Sequence, residues 1–345
     1  MESGKRKVES GKKMSMTGDN DLYTADELLK ECLDKICSNA AKGCASVIST
    51  GFCNLNDLVG GFENGKVYVV GGRPAMGKGD FLLSMIVDIV LESKTPALLF
   101  STNHQKADYV SRLLSISCDI PTLHMLKGFL EAKEWDRLDK GVGVMMNAPL
   151  LIYDGLDLKL DELVEKARYG IKEKGVRIIF VDSVQMVGYA SEGSPSEKIS
   201  RVMFALKELA RQENVPVVVG AMLRRPPEDR EGLEGLRPGL SDLAYSSSIE
   251  ELADVVMLVH RPTYYHIYQD IDGRDLRGMM QILVRKNALR PLGEILVRYE
   301  SETGRVSLRE DAWASGRWRL EELKADNDAV ESLMSALDLE EIPPF

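Results

Sequence analysis

The chain has 345 residues, 44% apolar and 28% charged, with a formal net charge of −10. These values describe a soluble globular chain of one large or two smaller domains. No apolar run reaches the roughly 18 residues that a membrane span needs. The acidic balance excludes a surface coated in positive potential, although not a local basic groove such as the inside of a ring.

Residues 1–22 hold charge without an apolar h-region, which excludes a secretory signal and predicts a disordered basic tail. Lysines that touch nucleic acid are the alternative reading of this tail. Cys32, Cys37, Cys44 and Cys53 match no common zinc spacing. With an odd total of five, they suggest reduced intracellular thiols.

A linker helix is expected within 23–45, centred on "TADELLKECLDKICS" at 24–38. Thr24 and Glu27 have the spacing of a capping box. Leu28, Leu29, Cys32, Leu33, Ile36 and Cys37 make an apolar stripe at helical period. That stripe needs a partner, either its own domain or a neighbouring subunit, with Leu29 and Leu33 as the anchors.

From 46 to 310 short β-branched runs alternate with amphipathic stretches. The strands are expected at 67–71, 97–101, 150–154, 177–182, 215–221, 254–260, 279–286 and 293–300. Helical patterns such as "LDELVEKARYGIKEKG" and "SEKISRVMFALKELARQEN" fall between the earlier ones. This order predicts an α/β fold with a mostly parallel twisted sheet and helices on both faces. The last three strands, joined by short links, are expected as an antiparallel edge extension. Residues 311–345 turn charged and are expected as a flexible tail.

The first strand runs into "GGRPAMGKGD", a G-x-x-x-x-G-K loop from Gly72 to Lys78 followed by an apolar helix. This is the context a phosphate-binding loop requires. Backbone amides and the helix N-terminus would cradle phosphate, and Lys78 would reach the terminal phosphates. The binding segment is therefore Gly72, Arg73, Pro74, Ala75, Met76, Gly77, Lys78, Gly79 and Asp80. The hydroxyl residue that usually follows the lysine is replaced by Gly79. The run "RIIFVD" ends in Asp182 at the C-terminal end of a buried strand, where ligands bind in open α/β sheets. Such an aspartate holds Mg2+. A strand-end aspartate that caps the next turn is the other reading.

These pieces, with "STGFCNLNDLVGGFENG", "IIFVDSVQMV", "LSDLAYSSSIEELADVVMLVHR" and "ILVRKNALRPLGEI", occur in an order and spacing that resembles the C-terminal ATPase domain of DnaB-type replicative helicases. The resemblance spans about 24–308 and implies a RecA-like P-loop core. It implies ATP with Mg2+, a homo-oligomer such as a hexameric ring, single-stranded DNA in the ring channel, and a cytoplasmic, nucleoid-associated location. It makes Asp182 and Lys286 catalytic, with Asp182 as the metal residue and Lys286 reaching the neighbour's nucleotide.

The departures from the family pattern fall on the chemistry. Gly79 stands for the metal-ligating Thr, and Asp80 stands for a second hydroxyl. Asn103 in "FSTNH" stands for the water-orienting Glu. Met222 in "AMLRR" stands for the phosphate-sensing Gln, and Ala288 in "RKNALR" stands for the arginine finger. An arginine finger is worth about 10³–10⁵ in rate where it acts, and Asn cannot serve as a base. Weak or lost hydrolysis follows, with nucleotide binding retained. Relocation of these roles to Asp80, Asn103 and Arg285 or Arg290 is the alternative.

DNA-binding candidates are Arg224, Arg225, Arg230 and Arg237, in a segment whose acidic residues cancel their charge. The terminus "DLEEIPPF" resembles the C-terminal tip of bacterial single-stranded-DNA-binding proteins. Ile342, Pro344 and Phe345 would anchor it on replication proteins, with Glu340 and Glu341 steering. The family's N-terminal domain, which meets primase, has no counterpart in the sequence given. Three readings remain at this stage. The first is a helicase-domain protein of replication, of a plasmid, phage or mobile element, assembled with itself or an active helicase. The second is an active helicase, and the third is a non-motor scaffold.

Overall fold

A computed structural model describes residues 47–308, apart from 103–105, 156, 189–193, 225–229, 231–234 and 289, together with Ala25, Leu29, Lys30 and Leu33. The chain divides into two units, Met1–Ser46 and Val47–Phe345. In the first, the four described residues are helical, and Leu29 and Leu33 are 62% and 58% exposed. The Thr24–Glu27 capping box and the C-terminal tip, including Ile342, Pro344 and Phe345, lie outside the described residues.

The second unit is a nine-stranded sheet in the order β3-β2-β4-β5-β1-β6-β7-β8-β9. The strands are β1 Val67–Gly72, β2 Ala97–Ser101, β3 Leu150–Asp154, β4 Ile178–Asp182, β5 Val217–Met222, β6 Val255–His260, β7 Met279–Asn287, β8 Gly293–Glu300 and β9 Arg305–Leu308. The helices that position the site are α1 Cys53–Val59, α2 Lys78–Val87, α3 Lys106–Cys118, α4 Thr122–Lys127, α5 Ala132–Met145, α6 Leu160–Lys174, α7 Pro195–Glu213 and α8 Ser246–Leu252. Strands β1 to β6 pair with one another in parallel, and the β6–β7, β7–β8 and β8–β9 pairs are antiparallel.

Alternation along β1 builds the two layers, because successive side chains point to opposite faces. Tyr68 and Val70 join a core with Phe81, Met85 and Ile86 of α2, whereas Val67 and Val69 join one with Leu163 of α6 and Val202, Leu206 and Leu209 of α7. With helices on both faces, the central strands read as continuous apolar runs. Helix α7 shows its sequence logic at both ends. Ser194 and Glu197 exchange hydrogen bonds of 3.3 and 2.8 Å in a capping box, and Pro195 opens the first turn. Asn214, left-handed at φ 52°, closes it.

Two expectations require correction. The run 254–260 is not part of the antiparallel extension, because β6 lies parallel to β1 with Tyr68 opposite Val255. The short helix α8 supplies the crossover that a parallel strand needs. The links are also not uniformly short, since a 3-10 turn at Pro262–Tyr265 and a bridged loop separate β6 from β7. The extension gains β9, a four-residue strand.

Candidate phosphate-binding site

The loop leaves the C-terminal end of β1, the strand between β5 and β6. Its sharp path needs a left-handed backbone at Gly77, φ 85°. A Cβ at Gly77 would also lie 2.4 Å from Met280 Cε, so the methionine would have to shift. Pro74 and Ala75 form the exposed tip, whereas Met76 is buried. Arg73 is anchored by a hydrogen bond from Nη1 to the Tyr265 hydroxyl. Helix α2 starts at Lys78, so its first amides have no partner within the helix. Among the described residues, no carbonyl takes up the amides of Ala75, Gly77, Lys78 or Gly79. They are the donors a phosphate cradle requires.

Sheet register brings Lys78 to Asp182. Asp182 of β4 lies opposite Gly220 of β5, and β5 in turn lies against β1 with Met222 opposite Gly72. The Lys78 ammonium is ion-paired with Asp182 Oδ1, and both side chains are largely buried. Gly220 makes space for the pair, since a Cβ there would lie 2.6 Å from Asp182 Oδ1 and 3.0 Å from Lys78 Nζ. The second oxygen, Oδ2, accepts a 3.0 Å hydrogen bond from the Tyr109 hydroxyl. Burial, and then the charge of Asp182, push the Tyr109 phenol well above its ordinary range, so it stays a donor.

Asp80 does not confront the loop uncompensated. Arg112 Nη2 donates to its Oδ1 at 2.7 Å, and the Tyr299 hydroxyl donates to its Oδ2 at 2.8 Å. Burial, with the Asp80 charge next, holds the Tyr299 phenol protonated. Tyr109, Arg112 and Tyr299 have no place in the loop motif, and sequence reasoning missed them. The available signal was the i,i+3 spacing of Tyr109 and Arg112, which puts both on one face of α3.

Other expected residues lie elsewhere. Met222 ends β5, and its amide donates to Gln185 Oε1 at 3.1 Å. Lys286 donates to the carbonyls of Glu250 and Glu251 at 2.6 and 3.1 Å, closing the C-terminal end of α8. On β6, Lys286 pairs with Val256, whereas Gly72 pairs with Val259. That offset is about 10 Å along the strands at 3.3 Å per residue, away from the loop. Ala288, two residues further, is exposed. A single chain therefore does not bring Lys286 or Ala288 to its own loop.

Arg224 lies over the Tyr245 ring at 5.8 Å. Arg230 pairs with Asp242 at 2.7 Å, and Arg237 pairs with Glu294. Asn103 and Arg225 lie outside the described residues. Among the described residues, no group of three or more His, Cys, Asp or Glu side chains could hold a metal, and no helix is long and apolar enough to cross a membrane.

The architecture and this chain's sequence both have known relatives. The replicative DNA helicase DnaB of Leifsonia xyli subsp. xyli (strain CTCB07) is 29% identical over 289 residues, which cover 83% of this chain and 62% of that protein. The DnaB helicase of Treponema pallidum (strain Nichols) is 33% identical over 215 residues, covering 62% of this chain and 48% of that protein. The chain thus spans less than two thirds of the length of the curated relatives it matches. A DnaB-like replicative helicase, solved in a study of its interactions with primase, superposes with a TM-score of 0.73 at 24% identity, covering 84% of this chain and 68% of that one. A second solved structure, an ATPase domain, gives the same TM-score and identity and is covered over its whole length. The fold is accordingly RecA-like α/β. The pattern of the DnaB-like helicase C terminal domain family matches residues 47–307, from just before the Ile48–Phe62 bridge to the last antiparallel strand, and the chain belongs to that family.

Proposed function

We propose that the chain is a nucleotide-binding, ring-forming helicase-domain protein of DNA replication whose ATP hydrolysis is weak or lost. Binding is supported by the free amides of the phosphate loop, with Lys78 at the first turn of α2. These residues fit the phosphates of ATP.

The observation that carries weak hydrolysis is the state of the two carboxylates. Asp182 is held by Lys78 and Tyr109, Asp80 is held by Arg112 and Tyr299, and position 79 offers no hydroxyl. These residues do not fit a Mg2+ ion held in the usual way. The substitutions at Asn103, Met222 and Ala288 act in the same direction through water orientation, phosphate sensing and charge stabilisation.

A ring, formed with further copies or with an active helicase, is supported by the place of Lys286. Its distance from the loop of its own chain suits a role at a neighbour's site. Exposed Leu29 and Leu33 suit docking on a neighbouring subunit. Single-stranded DNA is the polymer such a ring would hold, although Arg230 and Arg237 are spent on carboxylates and weaken the case for strong phosphate tracking. Docking of replication proteins on Ile342, Pro344 and Phe345, and a cytoplasmic location, complete the proposal.

ATP binding and turnover, with and without single-stranded DNA and beside Lys78→Ala, test it. Binding without turnover supports the reading. DNA-stimulated turnover near about 1 per second or faster, lost in the control, would replace it with an active helicase.

A further inference from the structure

We infer that Arg112 takes the charge-neutralising place of a divalent cation, so that this loop binds a nucleoside polyphosphate without metal. The inference rests on the reading of the loop as a nucleotide cradle. It starts from position 79, the second residue of α2. A Cβ built there would lie 3.1 Å from Arg112 Nη2 and 3.6 Å from Nη1. The guanidinium therefore stands against the missing hydroxyl, at the turn whose free amides face phosphate.

Two contacts hold it there, and a third fixes its partner Asp80. Asp80 Oδ1 accepts from Nη2 at 2.7 Å, Tyr299 fixes the other oxygen of Asp80 at 2.8 Å, and the Tyr109 ring lies 5.9 Å from the guanidinium carbon. Arginine has five N–H donors in a rigid fork. The hydrogen bond to Asp80 uses Nη2, which leaves Nη1, 3.6 Å from the position-79 Cβ, to meet a phosphate oxygen. Such a pairing is charge-assisted and suits the planar geometry of the guanidinium.

The carboxylates a metal would draw on are meanwhile engaged by donors on both oxygens. Both oxygens of Asp182 accept from donors, Lys78 on one side and Tyr109 on the other. A cation drawing on Asp182 would compete with a buried ammonium and a buried phenol for its oxygens, and one drawing on Asp80 would compete with Arg112 and Tyr299. Pre-placed positive charge needs no such rearrangement.

The test is calorimetric titration of the full chain with ADP, in magnesium and in EDTA. Wild type is expected to bind with dissociation constants that agree within about threefold in the two buffers, and Arg112→Met is expected to weaken binding at least about tenfold in both. Arg112→Lys should recover part of the loss, and circular dichroism checks that each variant folds. Loss of wild-type binding in EDTA would overturn the inference, as would an Arg112→Met variant that binds like wild type. A double variant Asp80→Asn/Arg112→Met that binds as tightly as Asp80→Asn alone would also overturn it, because the guanidinium would then serve only to neutralise Asp80. No ADP binding in either buffer would remove the nucleotide reading itself, and this inference with it.

Discussion

Replacing Tyr109 by Phe removes the hydroxyl that links Asp182 and Ser101. The ring stays, so no cavity opens, and Tyr109 is only 1% exposed. What leaves is the donor to Asp182 Oδ2 at 3.0 Å, together with the link from Ser101 to the same phenol. Asp182 is 4% exposed, so water does not freely replace the lost donor. A hydrogen bond to a buried charged group contributes about 1.5–3 kcal/mol, and Tyr109→Phe should destabilise the protein by that amount. Urea denaturation followed by circular dichroism measures it. The same change in an Asp182→Asn background should cost about 1 kcal/mol less, because the charge that strengthened the bond is gone while the loss of the Ser101 link is common to both backgrounds. Equal costs in both backgrounds, or a wild-type cost below about 0.5 kcal/mol, would refute the claim that Tyr109 holds the carboxylate.

Other perturbations probe separate parts of the account. Burial raises the Asp88 carboxyl from 3.8 to about 6, against a partial offset from Arg305. Its folded state therefore keeps a proton that the unfolded chain releases, and stability contributed here falls as pH rises from about 4 to about 6. Asp88→Asn should gain about 1–3 kcal/mol at pH 7.5 and almost nothing at pH 4, and a gain equal at both would contradict the assignment. Gly220→Ala places a methyl against Asp182 and Lys78. It should cost about 1–3 kcal/mol by urea melting and weaken nucleotide binding, and an Ala variant that behaves as wild type in both would show that the pair has room to move. Leu29→Asp with Leu33→Asp should reduce the assembly mass seen by light scattering, and an unchanged mass would remove the first unit from the subunit contact.

Legibility followed how local each feature was. The loop and Asp182 could be read because each is a contiguous run with strand and turn chemistry written beside it. That Lys78 and Asp182 meet is expected from the pairing of a phosphate loop with an acidic strand end, and the two are ion-paired. Tyr109, Arg112 and Tyr299 could not, since they come from α3 and β8 and meet Asp80 and Asp182 only after the sheet is assembled. The burial that sustains those bonds is invisible in a local pattern. Strand β6 was misplaced because "VVMLVH" carries no direction, and the helix that sets it parallel is the short, serine-rich "SSSIEEL". Strand β9, "RVSL", is too short to show a period. Asp80 read as a replaced hydroxyl, and its partners Arg112 and Tyr299 make it an ion-paired carboxylate.

The most direct test of the central claim is ATP binding and hydrolysis on one preparation, with and without single-stranded DNA, beside Lys78→Ala. The account predicts saturable binding that the variant loses and turnover far below about 1 per second, unmoved by DNA. Turnover at or above that rate, stimulated by DNA and absent in the variant, would contradict it and make the chain a working motor.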